Sequence, residues 1–315
     1  MERQEPARIY GLIGYPARHS LSPLMHNAAF RALKLNSRYL LFEVRPEELE
    51  DFLLGDAPVE DTEGEAVLKS DIYGFNITIP HKVRARQILK AQYPDIENAL
   101  SEEDAYYVKL SGAVNTVKRQ EGKCGYFNTD APGFLKSLQE DLKFSPRSKK
   151  VLVIGSGGAG RAVISALSWQ GAGVEKIYVH DIRQEAMDEA RRHFLDAGYP
   201  EVIGKLTFVR GKDIPAVIEG CALLVNASPM GMKGDDVSVI DKGLLHKGLS
   251  VYDVVYNRQH TTALIRDALS LRLPAADGLG MLLQQGAYAF GRWMGCPAPM
   301  EEMRKALALK KEVKR

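Results

Sequence analysis

Two α/β domains, each built on a mostly parallel sheet and the second of Rossmann type, are what this chain predicts, on three observations. Short apolar runs rich in β-branched residues alternate with helix-like stretches along most of the sequence. One of those runs leads straight into a glycine-rich turn and a further helix start. A length of 315 residues is long for one core and comfortable for two. Alternation of strand and helix implies parallel pairing, because a crossover helix must return the chain to the same end of the sheet.

In the first part, strands are expected at residues 9–13, 39–44, 72–77, 113–117 and 125–127. Helices are expected at 23–34, 46–54, 80–91 and 131–141. Residues 143–150, with Pro146 and a cluster of basic side chains, read as the link to the second part. There the β-rich runs are 151–154, 177–180, 206–209, 222–225 and 251–254, with room between them for crossover helices. The acidic stretch 56–65 (D-A-P-V-E-D-T-E-G-E) reads as an exposed loop. Residues 301–315 read as a helix whose basic last turn suits the negative end of its dipole.

Composition narrows the function classes. Lys and Arg number 42 against 40 Asp and Glu, a net of +2, so no strong field draws in nucleic acid or an anionic membrane. No apolar run reaches the roughly 18–20 residues of a membrane span. The opening residues Met1 to Pro6 are polar and lack the apolar region of a secretory signal, so a cytoplasmic location is expected. Cys124, Cys221 and Cys296 are odd in number and show no C-x-x-C spacing, which argues against a disulfide framework and a structural metal site.

The glycine turn reads K-V-L-V-I-G-S-G-G-A-G-R-A, with Gly155, Gly157 and Gly160 in a G-x-G-x-x-G frame. Gly155 permits the tight turn, Gly157 the close approach of a pyrophosphate, and Gly160 close packing of helix on strand. In a chain with 28 glycines the pattern arises by chance about 0.2 times, so context decides. A strand precedes it, a helix start follows, and Asp181 ends the next strand, as a dinucleotide site requires. No G-K-[ST] follows, which excludes a P-loop. A carboxylate at Asp181 accepts hydrogen bonds from ribose hydroxyls and repels a 2′-phosphate, favouring NAD; Arg183, two residues on, is the group that could meet such a phosphate.

Four further segments place polar groups beside strand ends. In G-Y-P-A-R-H-S-L-S-P-L-M-H-N, Ser22 before Pro23 reads either as a helix N-cap or, with Ser20, as part of a carboxylate site at a helix N-terminus; Ser20 has no capping duty. In G-F-N-I-T-I-P-H-K, Pro80 marks a helix start and puts Lys82 in the first turn. A cation at the positive end of the dipole is unfavourable by a few tenths of a kcal/mol, a broken local rule that points either to a general base or to a plain surface lysine. G-A-V-N-T contains Asn115, and N-T-D contains Asp130. Each of these two fits a ligand contact or an Asx-turn or cap.

Together these segments resemble the shikimate dehydrogenase family over nearly the whole chain. S-L-S-P at 20–23, N-I-T-I-P-H-K at 76–82, G-A-V-N-T at 112–116 and N-T-D at 128–130 carry the resemblance. So do the glycine turn, N-A-S-P-M-G-M at 226–232, D-V-V-Y-N at 253–257 and D-G-L-G-M-L-L-Q-Q at 277–285. The resemblance implies reversible interconversion of 3-dehydroshikimate and shikimate with NAD or NADP. It implies Lys82 and Asp130 as the catalytic pair, with Ser20 and Ser22 on the substrate carboxylate. Thr78, Asn115 and Gln285 would hold ring hydroxyls and Tyr256 would orient the substrate. The dinucleotide would meet Gly155, Gly157, Gly158, Ala159, Gly160, Asp181, Arg183, Asn226, Ser228, Met230 and Gly278.

The same resemblance implies a discontinuous substrate domain, 1–131 with 277–315, a dinucleotide domain 132–276, and a cleft between them that closes in use. A monomer or homodimer is expected. Where NADP-using members carry Asn-Arg-Thr after the second strand, this chain reads His180-Asp181-Ile182, which supports NAD and is similar to the quinate/shikimate branch. Arg258 stands where many members have proline, and Ala131-Pro132 replaces a glycine-containing turn. Quinate is the alternative substrate, although Ser22, threonine in many quinate-preferring members, leans toward shikimate. A non-catalytic dinucleotide sensor would bind cofactor without turnover, and the intact Lys82 and Asp130 speak against it.

Overall fold

The computed structural model describes residues 7–120, 123–257 and 260–312. Residues Met1 to Pro6, Arg258 and the end of the basic C-terminal turn lie outside them. The chain divides into two compact units, Met1–Thr129 with Gln285–Arg315, and Asp130–Gln284. Among the described residues, no helix is long and apolar enough to cross a membrane.

The first unit runs β1 (Arg8–Gly14), α1 (Ser22–Ala32), β2 (Ser37–Glu43), α2 (Leu49–Leu54), β3 (Val59–Glu60), β4 (Ala66–Val67), β5 (Ile72–Ile77), α3 (Lys82–Gln92), α4 (Glu102–Ser111), β6 (Thr116–Gln120) and β7 (Lys123–Phe127). Its sheet has the order β2-β1-β5-β6-β7. β1 lies parallel to both β2 and β5, which is why its sequence is a nearly unbroken apolar run buried from Ile9 onward. As expected, most strands of the sheet run one way; β6 and β7 add an antiparallel hairpin to the parallel core, since so short a connection allows only antiparallel pairing. Phe42, Phe52, Phe75, Ile77, Val114 and Tyr126 belong to one apolar cluster of this unit.

Several elements differ from expectation. The acidic stretch carries β3, paired antiparallel with β4, and Asp61 turns the chain by accepting the N–H groups of Glu63 and Glu65 at 2.9 Å each. The helix expected from Pro80 begins at Lys82, after a cis Ile79–Pro80 bond. The strand expected at 113–117 begins at Thr116, because Gly112, at φ +63°, ends α4 just before it. α4 itself has no counterpart among the expected helices. It is buried on most sides, so no amphipathic stripe marks it, although Ser101 caps its start by accepting from the Asp104 N–H.

The second unit runs α5 (Asp130–Asp141), β8 (Lys150–Ile154), α6 (Gly158–Ser168), β9 (Lys176–His180), α7 (Gln184–Asp196), α8 (Pro200–Ile203), β10 (Leu206–Phe208), α9 (Ile214–Ile218), β11 (Leu223–Asn226), β12 (Ser250–Asp253), α10 (Ala263–Ser270), β13 (Ala275–Ala276) and the first turns of α11 (Leu279–Met294). Every pairing is parallel and the order is β10-β9-β8-β11-β12-β13. Counted within this sheet that is 3-2-1-4-5-6, the Rossmann order. Leu152, Leu224 and Val251 of the central strands pack with Leu264 and Ile265 of α10 in one core cluster.

α11 carries the chain back to the first unit, where α12 (Met300–Glu312) packs on α1. Trp293, near the end of α11, donates its indole N–H to the carbonyl of Val117 on β6 at 2.9 Å.

Candidate active site

In open α/β sheets ligands bind beyond the carboxyl ends of the strands, where the strand order reverses. Each unit has one such point. In the first it lies between β1 and β5, since from β1 the order runs to β2 on one side and to β5 on the other. The segment after β1 carries Ser20 and Ser22, and the segment after β5 carries Thr78 and Lys82.

The turn after β1 is pinned by Glu43, which accepts the Ala17 N–H at 3.2 Å and pairs with Arg18 at 2.9 Å. The helix-cap reading of Ser22 does not hold. Ser22 is the first residue of α1 and makes no capping bond; the Ser20 hydroxyl accepts the Ser22 N–H at 3.2 Å. The N-cap position falls on Leu21, which offers no side-chain cap, and the Ser20 bond is a local turn one residue earlier. Ser22 is buried and Ser20 half-buried.

Thr78 covers Gly14, whose missing Cβ leaves the space that the threonine methyl fills. Lys82 opens α3 as a half-buried side chain, and its carbonyl accepts the Val114 N–H at 3.0 Å. Its neighbours in the motif serve the fold. His81 bonds the Val44 carbonyl at 2.7 Å, and Asn76 donates to the Asn115 carbonyl and the Thr116 hydroxyl while accepting from Tyr39.

Asn115 and Gln285 are brought together. The Asn115 side chain accepts the Thr129 N–H at 2.7 Å and donates to the Thr129 hydroxyl at 2.9 Å and to Gln285 Oε1 at 3.2 Å. Asn128 is engaged by Ser111 and the Ala113 carbonyl. Asp130, almost fully buried, opens α5 in the second unit.

The second unit reverses its strand order between β8 and β11, where the glycine turn follows β8. A Cβ on Gly155, at φ +102°, would stand 2.7 Å from the Ala227 carbonyl carbon and the Ser228 nitrogen, and one on Gly160 would meet the Gly155 carbonyl oxygen. A Cβ on Gly157 meets nothing within 4 Å. Gly158, Ala159 and Gly160 form the first turn of α6, whose N–H groups have no intrahelical acceptor. Open space beside unpaired donors fits a dinucleotide pyrophosphate.

Asp181 follows β9 and reaches back to this turn. One oxygen accepts both the N–H and the hydroxyl of Ser156 at 2.8 Å; the other accepts the Arg183 N–H at 3.0 Å. Burial opposes ionisation, but these donors outweigh it and hold the Asp181 carboxyl below the usual range.

At the end of β11, Asn226 shapes with Ser228 the loop that follows. Asn226 is fully buried and donates to the Met230 carbonyl at 2.9 Å and to Asp253 at 2.8 Å, and its amide oxygen accepts the Ser228 N–H and hydroxyl. Met230 is exposed. Asp253, at the end of β12, also accepts from the Thr262 hydroxyl at 2.6 Å and the Val255 N–H at 3.1 Å. Burial nonetheless pushes its carboxyl up to about 6. Gly278 lies so close to the Val254 carbonyl that no Cβ fits, and Tyr256 is half-buried after β12.

Sequence reasoning gave no role to Ser156, Asp253 or Thr262. Asp253 was visible as a carboxylate at a strand end, whereas Ser156 occupies the variable position of the glycine frame and carries no signal of its own.

Residues 12–117 match the family described as the shikimate dehydrogenase substrate binding domain, and 278–308 the shikimate 5′-dehydrogenase C-terminal domain. The chain is 38% identical over 304 residues to the shikimate dehydrogenase (NADP(+)) of Methanopyrus kandleri, covering 95% of this chain and 94% of that one. Its fold is similar to shikimate 5-dehydrogenase from Listeria monocytogenes in complex with shikimate and NAD, at TM-score 0.75 and 28% identity over 98% of both chains. Quinate dehydrogenase from Corynebacterium glutamicum in complex with NAD gives TM-score 0.75 and 27% identity over 97% of this chain and 100% of that one.

Proposed function

The chain belongs to the shikimate dehydrogenase family, and from that premise we propose that it interconverts shikimate and 3-dehydroshikimate with a nicotinamide dinucleotide. The strand order of the first unit carries the reading: Ser20, Ser22, Thr78 and Lys82 all follow β1 and β5, the adjacent parallel strands at which that order reverses. Residues 1–131 with 277–315 supply most of the substrate contacts and residues 132–276 most of the dinucleotide contacts.

Ser20 and Ser22, beside the N-terminus of α1, hold the substrate carboxylate. Thr78, Asn115 and Gln285 hold ring hydroxyls, and Tyr256 orients the ring. Lys82 takes the proton of the reacting hydroxyl during oxidation and returns it during reduction, and Asp130 orients the ammonium. When bound, the nicotinamide supplies the hydride chemistry. The chain's own part is to align the reacting carbon and manage the proton. Gly155 to Gly160 receive the pyrophosphate, with Asn226, Ser228, Met230 and Gly278 around the rest of the dinucleotide.

NAD is the cofactor of this reading, because the ionised Asp181 carboxylate repels a 2′-phosphate. Oxidation of quinate with NAD is the second reading, favoured by the fold shared with the Corynebacterium quinate dehydrogenase. The test measures kcat/KM for shikimate and quinate, each with NAD and NADP. The largest value is expected for shikimate with NAD. A lead for NADP overturns the cofactor assignment, and a lead for quinate overturns the substrate.

A further inference from the structure

We propose that Ser156 is a specificity-determining positioning residue, whose hydroxyl and N–H hold the Asp181 carboxylate where it receives an unmodified adenosine ribose and turns away a 2′-phosphate. The proposal rests on the reading of Asp181 as the ribose-binding carboxylate.

Both Ser156 donors converge on a single oxygen of Asp181, each at 2.8 Å. Ser156 is 1% exposed and Asp181 9%, so water is poorly placed to replace a lost bond. The Ser156 peptide is held from its other side as well, because its carbonyl accepts from Nε of the buried Arg161 at 3.3 Å. One carboxylate oxygen is therefore taken up by the glycine turn. The other accepts the Arg183 N–H at 3.0 Å and keeps an acceptor position for a ribose hydroxyl.

Arg183 supplies the alternative. Its guanidinium nitrogen Nε stands 3.8 Å from that second oxygen on a side chain 70% exposed. Without the Ser156 hydroxyl the carboxylate loses one of its three donors and can turn its charge toward Arg183. The ribose position then becomes less negative. Affinity for NADP rises relative to NAD, which uniform damage to the turn would not produce.

Calorimetric titration with NAD and with NADP tests this on the parent, Ser156→Ala, Asp181→Ala and the double variant. The ratio of the NADP Kd to the NAD Kd is expected to fall about tenfold in Ser156→Ala, the size of one bond to a charged group. In the Asp181→Ala background the same change is expected to move the ratio less than about twofold, because the serine acts through the carboxylate. Ser156→Thr keeps the hydroxyl and is expected to keep the parent ratio. Ser156→Cys, which weakens the bond at nearly constant volume, gives the same readout should the alanine variant fail to fold. A ratio unmoved by Asp181→Ala refutes the underlying cofactor reading. A ratio collapsed by Asp181→Ala but unmoved by Ser156→Ala, or equal weakening of both cofactors, refutes the role of Ser156.

Discussion

The side-chain amide of Asn115 donates to Oε1 of Gln285 at 3.2 Å across 170 positions of sequence, tying the entry to β6 to the middle of α11. The same amide group holds Thr129 through both its nitrogen and its oxygen. Asn115→Ala therefore strands several buried polar groups at once. It is expected to lower stability by about 2–4 kcal/mol in urea unfolding, beyond any effect on substrate affinity. Gln285→Ala leaves the Asn115–Thr129 bonds in place and is expected to lower it by only about 1 kcal/mol. Equal losses for the two variants would contradict this division.

His26 lies on α1 fully buried, stacked on Tyr39 at 4.4 Å between ring centroids, and neither ring nitrogen has a hydrogen-bond partner among the described residues. Burial lowers its pKa to about 3, against an unfolded value of 6.5. Between those values the unfolded chain binds the proton and the folded chain does not. The contribution is intact above pH 6.5 and is lost as the pH falls toward 3, by about 4–5 kcal/mol in full. His26→Phe keeps the ring in the stack and removes this titration. The stability difference between variant and parent should grow in favour of the variant as the pH drops from 7 to 4.

Much of the second unit was legible because its central strands β8, β11 and β12 are buried on both faces, and a β-branched run such as V-L-V-I needs no alternation to be read. The glycine turn was legible because each glycine answers a separate steric demand, at Gly155, Gly157 and Gly160. What escaped was set by tertiary contact. α4 is buried on most sides, and the β3–β4 pair that starts in the acidic stretch is closed by Asp61 rather than by an apolar pattern. Ser20 and Ser22 show the limit of local rules: the capping pattern points to Ser22, and only the backbone puts the N-cap on Leu21 and the Ser20 hydroxyl on the Ser22 N–H.

Asp253 should give the opposite pH signature to His26. Burial raises its carboxyl from 3.8 to about 6 despite bonds from Thr262, Val255 and Asn226. The folded state then holds the proton more tightly than the unfolded one. That contribution is fully present below pH 3.8 and is lost as the pH rises through 6, by about 3 kcal/mol. Asp253→Asn keeps an acceptor for Asn226 and Val255 and lets the Thr262 hydroxyl accept instead of donate. The variant is expected to exceed the parent in stability at pH 8, with the gap closing toward pH 4. A constant deficit at every pH would contradict the assignment.

Lys82→Met preserves most of the length and apolar body of a half-buried side chain at the start of α3 and deletes its proton-carrying group. Steady-state rates should fall about a hundred- to ten-thousandfold. Shikimate binding, followed by calorimetry, should weaken far less. Turnover within about threefold of the parent would remove Lys82 from proton transfer.

Gly157 and Gly160 separate binding from folding within one turn. Gly157 has φ −72° and ψ −166°, which any residue can adopt, and a Cβ there meets nothing within 4 Å. Gly157→Ala should fold with unchanged thermal stability, and, with the pyrophosphate seated on this turn as proposed, NAD affinity should fall at least about tenfold. At Gly160 the methyl would strike the Gly155 carbonyl oxygen, a backbone atom that cannot rotate away. Gly160→Ala should therefore cost about 2 kcal/mol or more of stability by forcing α6 off the strand–turn junction, with dinucleotide binding lost as a consequence. Thermal melts paired with NAD titrations separate the two, and a Gly157→Ala protein that binds NAD as the parent does would mean that the pyrophosphate lies elsewhere.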